Sequence, residues 1–160
     1  NIRLFSFYIP KDEEAALYKN EVIDRLGRFI EIAKGSGIAL CHENEKDVYG
    51  DTLARVQEIM ENTKGLKFIY DPANYLQCNQ KADETLDKLH ETTDNFHIKD
   101  VIAETGELVP AGHGDGKIHE LLNKIEGDKV LSVEPHLAVF DGYSQIDNTQ
   151  MKQKIPANLH

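Results

Sequence analysis

The chain has 160 residues, 40% of them apolar, and a formal charge of −10 from 28 acidic and 18 basic side chains. That length fits one domain with a sizeable core, and the acidic balance argues against general binding to nucleic-acid backbone, which needs basic surface. No apolar run reaches the roughly 18 residues that span a membrane, no signal peptide is visible, and Cys41 and Cys78 lack ligand-like spacing, which fits a reduced, cytoplasmic setting.

In chain order, Ile2–Ile9 reads as a strand closed by Pro10. Asp12 is expected to cap the next helix, whose 3.6-residue stripe is Leu17, Val22, Ile23, Leu26, Phe29, Ile30 and Ala33, up to Gly35. Ile38–Cys41 is a short strand running into His42 and Glu43. Asp51 or Thr52 caps a helix with Leu53, Val56, Ile59 and Met60 on one face, ended by Gly65. Leu66–Tyr70 is a strand that reaches Asp71, Ala82–Leu89 a helix, Phe96–Ile98 a strand, Ile118–Ile125 a helix and Val130–Val133 a strand ending at Glu134. Strands alternating with helices predict a parallel sheet covered by helices. No G-x-G-x-x-G follows a strand and there is no P-loop. The glycine-rich GHGDG, Gly112–Gly116, reads either as a turn offering N–H groups to an anion or as a plain tight entry to the next helix.

In parallel α/β folds the active site lies at the C-terminal ends of the strands. Those ends carry Glu43, Asp71, His97 and Glu134, at intervals of 28, 26 and 37 residues, near one β-α repeat each. In a curved sheet, neighbouring strand ends converge on one point. Three carboxylates and an imidazole form a hard, oxygen-rich site suited to Mn²⁺, Mg²⁺ or Co²⁺, and acceptable to Zn²⁺. Taken singly, each acid also reads as a helix cap or a solvated loop group.

The segments HEN, DPAN, HIKD, GxGDG and EPH together resemble the xylose-isomerase-like (β/α)₈ barrels, the superfamily of sugar phosphate isomerases, epimerases and endonuclease-IV-like enzymes. The resemblance covers about residues 1–140. It implies a divalent metal on Glu43, Asp71, His97 and Glu134, at the ends of strands five to eight. Two departures stand out. Many family members have a histidine three positions after the aspartate, where this chain has Asn74, a residue able to hydrogen-bond a substrate hydroxyl. A complete barrel also needs about 250 residues. With Ile2–Ile9 as the fourth strand, residues 1–160 are read as the C-terminal portion of a barrel, about strands four to eight, cut short or completed by a partner chain such as a second copy.

The implied function is metal-dependent isomerisation or epimerisation of a sugar, sugar phosphate or inosose, with Glu43 and Glu134 moving a proton beside a carbonyl. Asn74, Lys99 and His136 are expected to line the substrate site. His42 is expected on the opposite face from Glu43, Asp100 as a supporting group or a cap, and Arg3 toward solvent. The alternatives are endonuclease-IV-like phosphodiester hydrolysis, which calls for several zinc ions and a basic groove, and a non-catalytic truncated barrel.

Overall fold

The computed structural model describes residues 1–134. Five strands form one parallel sheet in the order β1-β2-β3-β4-β7: β1 (Ile2–Leu4), β2 (Leu40–Glu43), β3 (Lys67–Tyr70), β4 (Asn95–Ile98) and β7 (Val130–Val133). Helices α1 (Lys19–Ala33), α2 (Leu53–Asn62), α3 (Pro72–Gln77), α4 (Ala82–Leu89) and α5 (Ile118–Lys124) fill the connections. Strands β5 (Asp100–Val101) and β6 (Leu108–Val109) form a small antiparallel pair after β4. The sheet is curled and incomplete, a half-barrel of the type expected. Arg3 on β1 hydrogen-bonds Glu134 after β7, so side chains from the two outermost strands meet across its concave side.

Strand alternation divides the residues between two faces. The convex face carries Phe68, Tyr70, Phe96 and Ile98, which pack with Val56, Tyr75, Leu86, Leu89, Ile118 and Leu121 from the helices. A second cluster joins Leu40 to Val22, Leu26, Ile59 and Leu66. Each large apolar side chain fully buried this way contributes roughly 1.5–3 kcal/mol. The concave face carries Arg3, Cys41, Ile69, Asn95, His97, Ser132 and Glu134 around a cavity of about 260 Å³. The outer strands leave Ile2, Val130, Leu131 and Val133 exposed. Among the described residues no helix is long and apolar enough to cross a membrane.

Several local expectations change. The first strand stops at Leu4, because the segment after it leaves the sheet and is held instead by the loop after β2, through an antiparallel bridge from Tyr8 to Val48 and N–H bonds from Tyr49 to the Phe7 carbonyl and from Gly50 to Ser6 Oγ. Asp12 lies in a turn rather than at a cap. The helical path begins as a 3₁₀ turn at Ala15–Tyr18, so Leu17 falls off the buried stripe and is 73% exposed. Thr52 occupies the N-cap of α2 with extended backbone but no side-chain bond, and Gly65 supplies the φ of +97° that turns the chain after α2. The short α3 and the β5–β6 pair have no counterpart in the hydrophobic periodicity.

Candidate metal centre

Glu43 closes β2, Asp71 follows β3, His97 lies within β4 and Glu134 follows β7. One ligand atom from each lies within 4.8 Å of every other. Two ligands on opposite sides of one ion stand about 4.2 Å apart for bonds of about 2.1 Å. The first three side chains are almost wholly buried and Glu134 is partly buried.

Local structure holds each group. Asp71 is the N-cap of α3: its Oδ1 accepts from the Asn74 N–H at 2.9 Å, and Pro72 fills the first helical position, where its missing N–H costs nothing. The other oxygen, Oδ2, is left for the cluster. Asp71 is therefore both helix cap and member of the donor cluster, two placements that looked like alternatives. Asn44 pins the same spot, accepting from the Asp71 N–H at 2.8 Å and donating to its carbonyl at 2.9 Å. That bond pair ties the end of β2 to the end of β3.

Lys99 is buried and donates to Asn74 Oδ1 at 2.6 Å, with its Nζ 3.4 Å from Asp71 Oδ2. The Asn74 amide donates to the Asn44 carbonyl at 2.9 Å and lies 3.4 Å from Glu43 Oε1. Asn74 and Lys99 thus stand beside the donor cluster, and the Asn74 side chain is held by protein groups on both ends.

His97 Nδ1 lies 2.9 Å from Glu43 Oε1, 3.4 Å from Glu134 Oε2 and 3.7 Å from Asp71 Oδ2. None of these contacts has hydrogen-bond geometry. Burial pulls the imidazole pKa down, but the carboxylates of Asp71, Glu43 and Glu134 outweigh it and raise it to about 9.

Arg3 does not point away from the site as the sequence suggested. Its strand register pairs it with Cys41 on the concave side. There Nη1 donates to Glu134 Oε1 at 2.9 Å and lies 3.2 Å from Glu43 Oε2. The signal was a lone cation on the strand beside the one that carries the first acid, with nothing in Ile2 or Leu4 to mark its direction. Glu45 was also missed. It is half-buried, and burial raises its carboxyl pKa, with the charges of Glu43 and Asp71 adding to the rise and Lys99 opposing it.

The glycine-rich loop does bind an anion, but one supplied by the chain. The buried Asp100 carboxylate accepts N–H bonds from Gly112 and Gly114 at 2.8 and 2.9 Å through Oδ2, and from Gly116 and Val101 at 2.8 and 2.9 Å through Oδ1. A Cβ on Gly114 would stand 2.5 Å from Asp100 Oδ1 and 2.6 Å from the Val101 carbonyl, which explains the glycine. Asp115 accepts from the Ala103 N–H at 2.8 Å, and His113 is exposed, so neither joins the donor cluster. His42 faces the helices, as strand alternation predicts, stacked on Phe68 and packed against Gly50. His136 lies outside the described residues.

The donor set fits a divalent ion on its own chemistry. Glu43 Oε2, Asp71 Oδ2 and His97 Nδ1 are buried without a hydrogen-bond partner. Each such atom ordinarily costs about 1–3 kcal/mol, and one cation bound by all three would satisfy them together. Hard oxygen donors with one nitrogen suit Mn²⁺, Mg²⁺, Co²⁺ or Zn²⁺.

Comparison with curated protein sequences finds no match. Solved structures share the fold at low identity. A probable 3-DHS dehydratase, AsbF, involved in petrobactin synthesis in Bacillus anthracis, is 17% identical with a TM-score of 0.68, over 82% of this chain and 56% of that one. The IOLI protein with a bound zinc atom is 18% identical with a TM-score of 0.66, over 85% and 54%. The 3-keto-D-glucoside 4-epimerase YcjR from E. coli is 16% identical with a TM-score of 0.62, over 89% and 59%. The chain thus spans a little over half the length of these structures. The family model for the xylose isomerase-like TIM barrel matches residues 2–153. With its parallel half-barrel and its Glu-Asp-His-Glu cluster at the strand ends, the chain belongs to the xylose isomerase-like TIM barrel family.

Proposed function

We propose that residues 1–160 are the C-terminal portion of a barrel enzyme that isomerises or epimerises a sugar, sugar phosphate or inosose by proton transfer beside a carbonyl. The observation that carries this reading is the convergence of four donors from four strand ends, three of them with a buried atom that makes no hydrogen bond. The named activities of structural neighbours, an epimerase of a keto-glucoside and a probable dehydratase, lend support at the level of reaction class.

Glu43, Asp71, His97 and Glu134 would hold a divalent ion, whose chemistry would be Lewis-acid polarisation of a carbonyl. The chain supplies the rest. Glu43 and Glu134 come from the two ends of the four-ligand arc and are the proton-moving pair. One takes the proton from the carbon beside the carbonyl, and the same or the other returns it. Return to the opposite face inverts the centre, return to the neighbouring carbon exchanges aldose and ketose, and loss of a β-hydroxyl dehydrates. Lys99, Asn74 and His136 are assigned to the substrate oxygens. Lys99 has three N–H donors and uses one on Asn74. A second copy is the partner we assign to the exposed apolar outer strands. Hydrolysis of phosphodiesters by several zinc ions fits less well, because among the described residues one donor group gathers.

The test is exchange of solvent deuterium into ketoses and inososes, with and without Mn²⁺. Mn²⁺-dependent incorporation beside the carbonyl, abolished by Glu43→Gln, supports the reading. Incorporation that ignores both contradicts it.

A further inference from the structure

β1 and β7 are the outer strands of a five-stranded sheet. Were the sheet flat, four strand spacings would separate them by about 19 Å. Instead the Arg3 guanidinium of β1 reaches the last ligand of β7. Its Nη1 donates to Glu134 Oε1, and the other oxygen of that carboxylate, Oε2, is the one turned toward His97, at 3.4 Å. The guanidinium is itself held, lying 5.3 Å over the Phe5 ring and 3.2 Å from Glu43 Oε2.

Glu134 follows an edge strand whose last residue, Val133, is 72% exposed, and its backbone N–H donates to the Ile98 carbonyl at 3.2 Å. The other three ligands sit on inner strands and are almost wholly buried.

We infer that Arg3 is a positioning residue of the metal centre, binding one carboxylate oxygen of Glu134 from the far edge of the sheet so that the other is presented to the ion. The inference rests on the four-donor reading of the site. A competing consequence of the same contact has the opposite sign: a guanidinium near Glu43 and Glu134 repels an incoming cation. Outer partners of ligating side chains generally contribute ten- to a hundredfold in affinity, and Arg3 is 45% exposed and so partly screened by water. The positioning effect therefore outweighs the repulsion.

The experiment is Co²⁺ titration by calorimetry and visible absorption on the wild type, Arg3→Gln, Arg3→Lys, Glu134→Gln and the Arg3→Gln/Glu134→Gln pair. Arg3→Gln should weaken Co²⁺ binding about ten- to a hundredfold and take on the absorption spectrum of Glu134→Gln. Arg3→Lys should recover part of the loss. The double variant should bind no more weakly than Glu134→Gln alone, since the two act as one unit. Binding by Arg3→Gln as tight as the wild type, or losses that multiply in the double variant, would overturn the assignment while leaving the metal site intact. Unchanged Co²⁺ binding in Glu134→Gln would instead remove the four-donor reading and Arg3's role with it.

Discussion

The Nδ1 of His97 lies 2.9 Å from Oε1 of Glu43, closer than any other cation–carboxylate contact in the donor cluster except Arg3 to Glu134. Both groups are proposed ligands of one ion, so a proton on His97 and the ion exclude each other. The carboxylates raise the imidazole pKa from 6.5 to about 9 against the effect of burial. Below pH 9 in metal-free protein, loading an ion must therefore expel a proton. Apparent affinity should rise about tenfold per pH unit as pH climbs toward 9 and level off above. Calorimetry in buffers of different ionisation enthalpy should find close to one proton released per ion at pH 7.5. Ion binding with no proton release and no pH dependence would show that His97 is not a ligand.

The same shift has a stability side. The folded pKa is raised, so the imidazolium stabilises metal-free protein fully below pH 6.5, and that stabilisation is lost as pH rises through about 9. Melting temperature measured in chelator should fall across that window, and the fall should be absent in His97→Gln.

His42 acts in the opposite direction. It is fully buried with both ring nitrogens unpartnered, and burial pushes its pKa down to about 3. Its contribution is fully present above pH 6.5 and is lost as pH falls toward 3, by about 1.4 kcal/mol per unit. His42→Phe should flatten the acid limb of the stability curve if the ring is accommodated beside Gly50. An acid limb unchanged in a folded His42→Phe would place the acid sensitivity elsewhere.

Asp71→Asn separates the two roles of Asp71. Asparagine still caps a helix well, so the cap itself should cost only a few tenths of a kcal/mol, and any larger fall in the melting temperature of metal-free protein reports the lost carboxylate beside Lys99 and His97. Removing the charge and the ligand oxygen should lower ion affinity about a hundredfold or more. Equal loss of stability and affinity would mean that the cap, and not ligation, is the main function.

Asp100 should behave as a keystone of the glycine-rich loop. Asp100→Ala leaves four N–H donors without their acceptor, at about 1–3 kcal/mol for each that stays buried. Gly114→Ala should destabilise by a comparable route, since its Cβ collides with the same carboxylate. Urea unfolding of the two variants measures this. A near-neutral Gly114→Ala would show that the loop yields easily.

The main elements were legible in the sequence because helices show stripes such as Leu86 and Leu89, and apolar runs such as Leu66–Tyr70 end at breakers such as Asp71-Pro72. Ala82–Leu89 comes out with the expected bounds. The residues brought to one point, Glu43, Asp71, His97 and Glu134, were legible because each sits at or within one residue of the end of a strand. Strand register, by contrast, is not written in short runs. Phe68 and Tyr70 face the helices while Ile69 faces the cavity, and all three are apolar, so alternation is hidden. Arg3 was misplaced for a related reason: its neighbours Ile2 and Leu4 gave no sign that the sheet curls enough to bring it to Glu134. The α3 helix escaped notice because Pro72–Gln77 is six residues long, too short for a periodic stripe. The loop anion Asp100 lies twelve to sixteen residues from the glycines that bind it, beyond the reach of any local pattern.

The most direct test of the account is the divalent metal content per chain after gentle purification, in the wild type and in Glu134→Gln. One ion per chain, lost or sharply weakened in the variant, is the predicted result. No bound ion under saturating Mn²⁺, Co²⁺ or Zn²⁺, or an occupancy untouched by the substitution, would contradict it.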